Sequence, residues 1–328
     1  MKNPRITALA VLKILQEYSD RDHLLTNSQI RNLLLECYQL EITDRTLTHL
    51  IVALKQLGYD IERYQDNHKG YYLRERDFED EEIVYLAQSV HSAHFVAQGY
   101  SQKLIDKLLR HLSKYQAEAF RQRVYHDNPR KRPNADFFKN IEDILEAIQG
   151  KLAICFIYLK YDLEKKLVPR REKPYTLYPL GIVFENNNLY LIGCVPGLDT
   201  FSHWRIDKMK DVEITQDTLP KTLQAFDPYD YALSKTYMYS GPDVQVELRF
   251  HKRMLDDMID HFGTQMIVIE DPDDADYCRT TIQSSEQGFV YFALQYLKNC
   301  EVLAPASLRQ MIQEVLIDGL NQYQKREG

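Results

Sequence analysis

Hydrophobic positions in the first quarter of the chain recur at helical spacing. Ala8, Val11, Leu12 and Leu15 fall at i, i+3, i+4 and i+7, one face of a first helix. Thr26 or Asn27 is placed to cap a second, whose core face is Ile30, Leu33, Leu34 and Cys37. Thr43 caps a third helix running to about Leu57, with Leu47, Leu50, Ile51 and Leu54 inward and Arg45, Thr48, His49 and Val52 outward. Gly58 is the left-handed residue that ends it. Residues 60–64 and 70–73 read as two strands around a polar tip at 65–69. Helices resume over 79–125, with Ile83, Leu86, Ala87 and Val90 on one apolar face and Leu104, Ile105, Leu108 and Leu112 on another. Gly99-Tyr100-Ser101 separates them, with Ser101 as the N-cap. Faces this narrow cannot fold alone and need a neighbour or a second copy.

Asp127 to Asn134, with two prolines and Arg130-Lys131-Arg132, reads as a linker. A short helix over 137–149 carries Phe138, Ile141, Ile144, Leu145 and Ile148, and the period then changes to two. Residues 152–158 are a strand rich in β formers, and 175–209 hold three more. Residues 177–184 and 189–195 flank a Glu185-Asn186-Asn187-Asn188 turn, and Pro196-Gly197-Leu198-Asp199 leads into 201–209. There Trp204, Ile206 and the stem of Lys208 alternate with His203, Arg205 and Asp207, which separates an apolar face from a charged one. From Asp243 onward the order is strand, helix, strand, strand, helix, short strand and a long final helix, a βαββαβα pattern consistent with a ferredoxin-like α+β sandwich.

Two stretches resemble a known family. Leu189-Tyr190-Leu191, after the proline-led 178–183 strand, and His203-Trp204-Arg205-Ile206-Asp207-Lys208-Met209 are similar to the core of the WYL domain of bacterial transcriptional regulators. Leu189 replaces the first aromatic of the family triplet. Asp44-Arg45-Thr46-Leu47, Leu57-Gly58-Tyr59-Asp60-Ile61 and Gly70-Tyr71-Tyr72-Leu73 look like the winged helix-turn-helix that commonly precedes it. Glu301-Val302-Leu303-Ala304-Pro305, followed by Leu308-Arg309, looks like the family's C-terminal extension.

The resemblance implies an α+β multidomain chain. A winged helix-turn-helix occupies 1–75 and a helical connector and linker 76–135. A small Sm- or SH3-like β-barrel, the WYL domain, spans 136–225, and a ferredoxin-like extension, the expected dimerisation element, 226–328. It also implies a cytoplasmic DNA-binding regulator, a repressor by default, acting as a homodimer on an inverted-repeat operator of double-stranded DNA. The third helix enters the major groove. Arg45, Thr46, Thr48 and His49 face bases or phosphates, and His68 and Lys69 on the wing touch backbone. His49 departs from the family, which usually has arginine there. Tyr158, Arg170 or its neighbour Arg171, Tyr190, His203 and Arg205 form the expected effector pocket, because arginine suits phosphate and tyrosine offers a stacking ring. A nucleotide, an oligonucleotide or single-stranded DNA is the ligand class, and Arg205→Ala is expected to abolish the response while leaving the fold intact. The bland alternative pairs Arg205 with Asp207 and puts Tyr190 and Trp204 in the core.

Composition narrows this little. With 328 residues, 44% hydrophobic and 27% charged, the chain has the make-up of a soluble multidomain protein. No apolar run reaches membrane-spanning length, so no membrane partner is expected. The net charge of −7 speaks mildly against nucleic acid as a whole, but phosphates respond to local patches. The Arg130-Lys131-Arg132 run reads as a solvated hinge ahead of a phosphate contact. Cys37, Cys155, Cys194, Cys278 and Cys300 stand singly and read as small core residues. The acidic 271–276 loop is not an EF-hand, since its sixth position is Asp276 and its twelfth Ile282. No phosphate loop, nucleophile elbow or metal motif is present, so neither an enzyme nor a cofactor is expected. Two other readings stay open: a non-specific nucleic-acid-binding accessory protein, and a module whose winged helix docks on protein.

Overall fold

A computed structural model describes residues 4–124, 130–132, 134, 136–198, 200–233, 235–239 and 242–324. The chain divides into two compact units, Met1–Pro133 and Asn134–Gly328. Half of the expected 127–134 linker, residues 127–129 and 133, lies outside the described residues.

The first unit opens with three helices, α1 (Pro4–Tyr18), α2 (Asn27–Tyr38) and α3 (Asp44–Gln56). Thr26 and Gln29 form a reciprocal cap at the start of α2, and the Thr43 hydroxyl accepts from the Thr46 amide at the start of α3. Val11, Ile14, Leu15, Ile30, Leu34, Leu47, Ile51 and Leu54 close one core between them. Cys37 is exposed, not buried. Ile30 and Leu34 fill the contact, and the thiol falls at the rim, 3.8 Å from the Tyr18 hydroxyl. Gly58, at φ 99°, ends the third helix.

The two strands expected next are short, β1 (Ile61–Glu62) and β2 (Tyr72–Leu73), because a helical turn, α4 (Tyr64–Asn67), fills the tip. Leu25 bridges Tyr71 beside them. That bridge is why residue 70 is glycine: a Cβ there would lie 2.7 Å from the Leu25 carbonyl oxygen.

Three further helices complete the unit, α5 (Asp80–Ser92), α6 (Gln98–Leu109) and α7 (Lys114–Val124). Ile83, Ala87, Ile105, Leu109, Leu112, Ala117 and Phe120 form their core. The break between α5 and α6 falls at 93–97, ahead of Gly99. Ser101 is therefore no cap; it sits buried within α6. Its hydroxyl receives Lys131, whose ammonium also donates to the carbonyls of Val90 and Ala93, at 2.7–2.8 Å. Lys131 thus compensates the exposed carbonyls at the end of α5, and burial pulls its pKa down to about 8. This residue of the basic run is neither a solvated hinge nor a phosphate contact.

Arg76 ties these helices to the first three, donating to the Gln16 carbonyl at 2.8 Å, Ser19 at 2.7 Å and His111 at 3.1 Å. Buried Asp20 accepts from the Ser113 hydroxyl.

The second unit starts with α8 (Phe137–Gly150). Its inward face is Phe137, Asn140, Ile144 and Ala147, while Phe138 and Leu145 are exposed. The helix is turned by about 100°, one residue, from the apolar expectation. The Asn140 amide requires it, donating to the Met209 carbonyl at 2.8 Å.

Strands β3 (Leu152–Tyr161), β4 (Leu167–Pro169), β5 (Tyr175–Glu185), β6 (Asn188–Cys194), β7 (Phe201–Arg205) and β8 (Met209–Thr218) form one curled antiparallel sheet. Its order is β4-β3-β5-β6-β7, with β8 on β3. Asn186 and Asn187, both at positive φ, make the β5–β6 turn match the twist of its strands. Phe201 to Met209 is not one strand. A 3₁₀ turn at Ile206–Lys208 separates β7 from β8.

After α9 (Pro228–Leu233) come β9 (Asp243–His251), α10 (Leu255–Phe262), β10 (Val268–Glu270), β11 (Tyr277–Ser285), α11 (Glu286–Gln295), β12 (Cys300–Ala304) and α12 (Ala306–Gln324). The sheet runs β10-β11-β9-β12, all antiparallel. Val246, Leu248, Phe250, Met258, Phe289, Phe292 and Leu308 fill its core.

On the exposed side, Asp271 is shut off from water and accepts from Arg279 at 2.6 Å and Arg249 at 3.0 Å. These bonds, Arg279 foremost, hold its pKa near 2, below the ordinary 3.8 and against the burial that raises it. Its contribution is complete above the ordinary value and is lost as pH falls through the lowered one. Unfolding followed by tryptophan-independent circular dichroism should therefore show stability falling between about pH 4 and pH 2, with Asp271→Asn less stable at pH 7 and flatter across that acid range.

Candidate functional site

Two surfaces carry the residues singled out from sequence. On the first unit, Arg45, Thr46, Thr48 and His49 are all exposed on α3. The helix presents them because Leu47, Ile51 and Leu54 are drawn into the core on the opposite side. Their hydroxyls are partly engaged. Thr46 meets the Thr43 hydroxyl at 3.0 Å, and Thr48 donates to the Asp44 carbonyl at 3.0 Å. Arg45 and His49 are left as the long polar side chains on this face. Asp44, which would repel a phosphate, is paired with Arg31 at 3.1 Å. His68 and Lys69 are exposed on the turn after α4, where the Asn67 carboxamide accepts from the amides of Lys69 and Gly70.

The other surface lies on the curled sheet. Cross-strand register sets Tyr190 opposite Arg205 and Ile192 opposite His203, so Tyr190, His203 and Arg205 share one face. Trp204 points to the other, opposite Leu191. There it packs edge-on against Tyr175, Tyr158 and Phe156, with centroids 4.7, 4.9 and 5.3 Å away. Gly193 admits this layer, since a Cβ there would strike the Leu177 side chain.

Arg205 makes a two-pronged pair with Asp207: Nε to Oδ1 at 3.0 Å and Nη2 to Oδ2 at 2.7 Å. The Asp207 side chain is 1% exposed and that of Arg205 19%. The pairing expected as the bland alternative is thus formed, through the 3₁₀ turn and not along a strand face. The turn itself is fixed by Asn134, whose amide donates to the Asp207 carbonyl at 2.8 Å. Arg205→Ala removes the charge partner of a buried carboxylate, so it is expected to cost stability as well as any ligand response.

Tyr158 is buried, which raises its pKa, and its hydroxyl accepts from the Arg205 amide at 3.2 Å. The carbonyl of Tyr158 accepts from the Arg170 amide at 2.7 Å. Tyr190 and Arg205 therefore share one face, while the Tyr158 ring lies in the Trp204 layer on the other and meets Arg205 at its backbone amide; Arg170 is exposed at the strand edge. His203 is not directed into the same space. Its Nδ1 lies 2.9 Å from the Met238 carbonyl, in the segment after α9.

Of the two neighbouring arginines, it is Arg171 that reaches an aromatic ring: its guanidinium lies 3.4 Å from the centre of the Tyr175 ring and donates to the carbonyls of Lys173 and Pro174. Sequence alone does not distinguish it from Arg170. Among the described residues no three metal-ligating side chains converge, and no helix is long and apolar enough to cross a membrane.

Residues 139–214 match the WYL domain and residues 242–317 the WCX domain. A WYL domain is thus followed by a WCX domain, the two matches together covering a little under half of the chain. Among solved structures it is similar to proteasome accessory factor B/C (PafBC) of Arthrobacter aurescens, at 18% identity and a TM-score of 0.27. That likeness covers 93% of this chain and 45% of the other, so the chain spans less than half of that protein's length. A structure described as a CRISPR Cas-related protein is similar at 14% identity and a TM-score of 0.38, covering 98% of this chain and 86% of that one. No curated protein matches.

The buried pair makes a direct prediction. Asp207→Ala should lower unfolding free energy by roughly 3–5 kcal/mol, because an unpaired guanidinium is left half-buried. In urea denaturation, Arg205→Met combined with Asp207→Leu should recover most of that loss.

Proposed function

We propose that the protein is a cytoplasmic DNA-binding transcriptional regulator, acting as a homodimer without chemistry of its own. Its first three helices and short hairpin serve as a winged helix-turn-helix, and its curled sheet senses a nucleotide or an oligonucleotide-like ligand. The C-terminal α/β domain, ferredoxin-like in this reading, supplies dimer contacts. Repression is the default sign.

The observation that carries the proposal is the outward face of α3. A capped helix, anchored by Leu47, Ile51 and Leu54, holds Arg45 and His49 in solvent and has its one N-terminal acid paired off. Such a helix fits a major groove, where an arginine can donate twice to a guanine. The WYL and WCX matches support regulation of this kind. The ligand reading is supported by Arg205, whose guanidinium is oriented by Asp207 on the strand face it shares with Tyr190, a combination suited to phosphate and base.

The test is binding of the purified protein to DNA from upstream of its own gene against shuffled DNA, at two salt concentrations. Tight binding that prefers the native sequence is expected. Arg45→Ala should weaken it by about 1–3 kcal/mol and relax the preference, while Lys69→Ala should weaken both DNAs alike and reduce the salt slope by about one. Equal affinity for both DNAs would favour a non-specific accessory role. Affinity untouched by Arg45→Ala would favour a helix that docks on protein.

A further inference from the structure

The short segment between the WYL and WCX domains is held from both sides. Tyr237 and Met238 both adopt left-handed backbone, at φ 55° and 54°. For side chains of this size that conformation costs on the order of 1–2 kcal/mol per residue, so the surroundings must impose it. From the WYL sheet, His203 on β7 reaches the Met238 carbonyl at 2.9 Å. A carbonyl can only accept, so the ring carries its proton on Nδ1. Burial lowers the pKa of this imidazole and keeps it neutral near pH 7. Buried Lys235 pairs with Asp243 at the start of β9 and lies 4.8 Å from the centre of the Tyr231 ring. From the WCX domain, the Tyr237 hydroxyl donates to Gln295, and Tyr239 stacks on Tyr291 of α11 at 4.9 Å.

The candidate ligand residues lie on the same strand face. Arg205 is two residues from His203, and Tyr190 sits opposite Arg205 on the neighbouring strand. We propose that Lys235–Tyr239 is a latch between the two domains, with His203 as its positioning residue, and that a phosphate-bearing strand seated on Tyr190 and Arg205 opens it. The latch rests on geometry alone; its opening by ligand rests on the reading under Proposed function. A ligand seated on Arg205 shifts β7, which also carries His203; that shift lengthens the His203–Met238 bond and draws Tyr239 off its stack. With those contacts gone, the Tyr237–Gln295 and Lys235–Asp243 bonds alone do not hold the left-handed pair, and it relaxes. This gives the ligand a differential interaction with two states, without which it could shift nothing.

The experiment uses full-length protein and a fluorescein-labelled, 5′-phosphorylated single-stranded decathymidylate as probe. Hydrogen exchange at residues 235–239 is measured with and without probe, and probe affinity by anisotropy. Wild-type protein should exchange slowly there and at least tenfold faster when probe is bound. His203→Ala should exchange at the fast rate without probe, change no further on adding it, and bind it within about threefold of wild type or more tightly. His203→Asn, whose amide can still donate to Met238, should restore slow exchange and the probe response in part.

Unchanged exchange in His203→Ala, with the α11 and β9 amides protected as in wild type, would overturn the latch. Probe binding to wild type with no change in the segment would overturn its opening by ligand. No probe binding by wild type at all would remove the ligand reading itself. The probe-free exchange rates of the two variants would then still decide whether His203 holds the latch.

Discussion

A charged carboxylate with 1% of its side chain exposed needs a partner, and Asp207 has Arg205 two residues away. Much of the second unit's sheet is arranged around that pair. The 3₁₀ turn that brings the two together also ends β7 and starts β8, so β8 can cross to pair with β3. Asn134 and Asn140 hold the turn from outside by bonding the carbonyls of Asp207 and Met209, and α8 is rotated to let Asn140 do so. The same pair aims the remaining guanidinium donors of Arg205 past Tyr190. One electrostatic constraint therefore sets strand order, helix orientation and the chemistry of the candidate pocket.

The first unit uses polar groups in a comparable way. Arg76 satisfies carbonyls at the end of α1 and beyond α6, and Lys131 does the same for α5. Each cation answers the orphan carbonyls that every helix end carries. With those ends satisfied internally, the polar side chains of α3 remain outward, where a nucleic acid can meet them. Stability and the proposed function thus draw on separate sets of residues within one unit.

The elements were largely legible because hydrophobic spacing is local. The first three helices, the curled-sheet strands and the strand–helix order after Asp243 follow from periods of 3.6 and 2 in consecutive residues. Caps at Thr26 and Thr43 were equally local, since cap and capped amide lie three residues apart. The misplacements share one cause. Ser101, Cys37, Lys131 and the inward face of α8 were decided by partners distant in sequence, such as Met209 for Asn140 and Val90 for Lys131. A period says which face is apolar; it does not say that one buried amide will outweigh two exposed apolar side chains, Phe138 and Leu145.

The candidate site divides along the same line. The sequence by itself determined which residue types were on hand: arginines and tyrosines on adjacent strands, and a polar outer face on the third helix. Only the tertiary structure decided their roles. It turned His203 toward the Met238 carbonyl, paired Arg205 with Asp207 through a turn and laid Arg171, not Arg170, over Tyr175. The physical reason is that hydrogen bonds and ion pairs act over about 3 Å in space. That distance is reached only once strands far apart in the chain have taken their register.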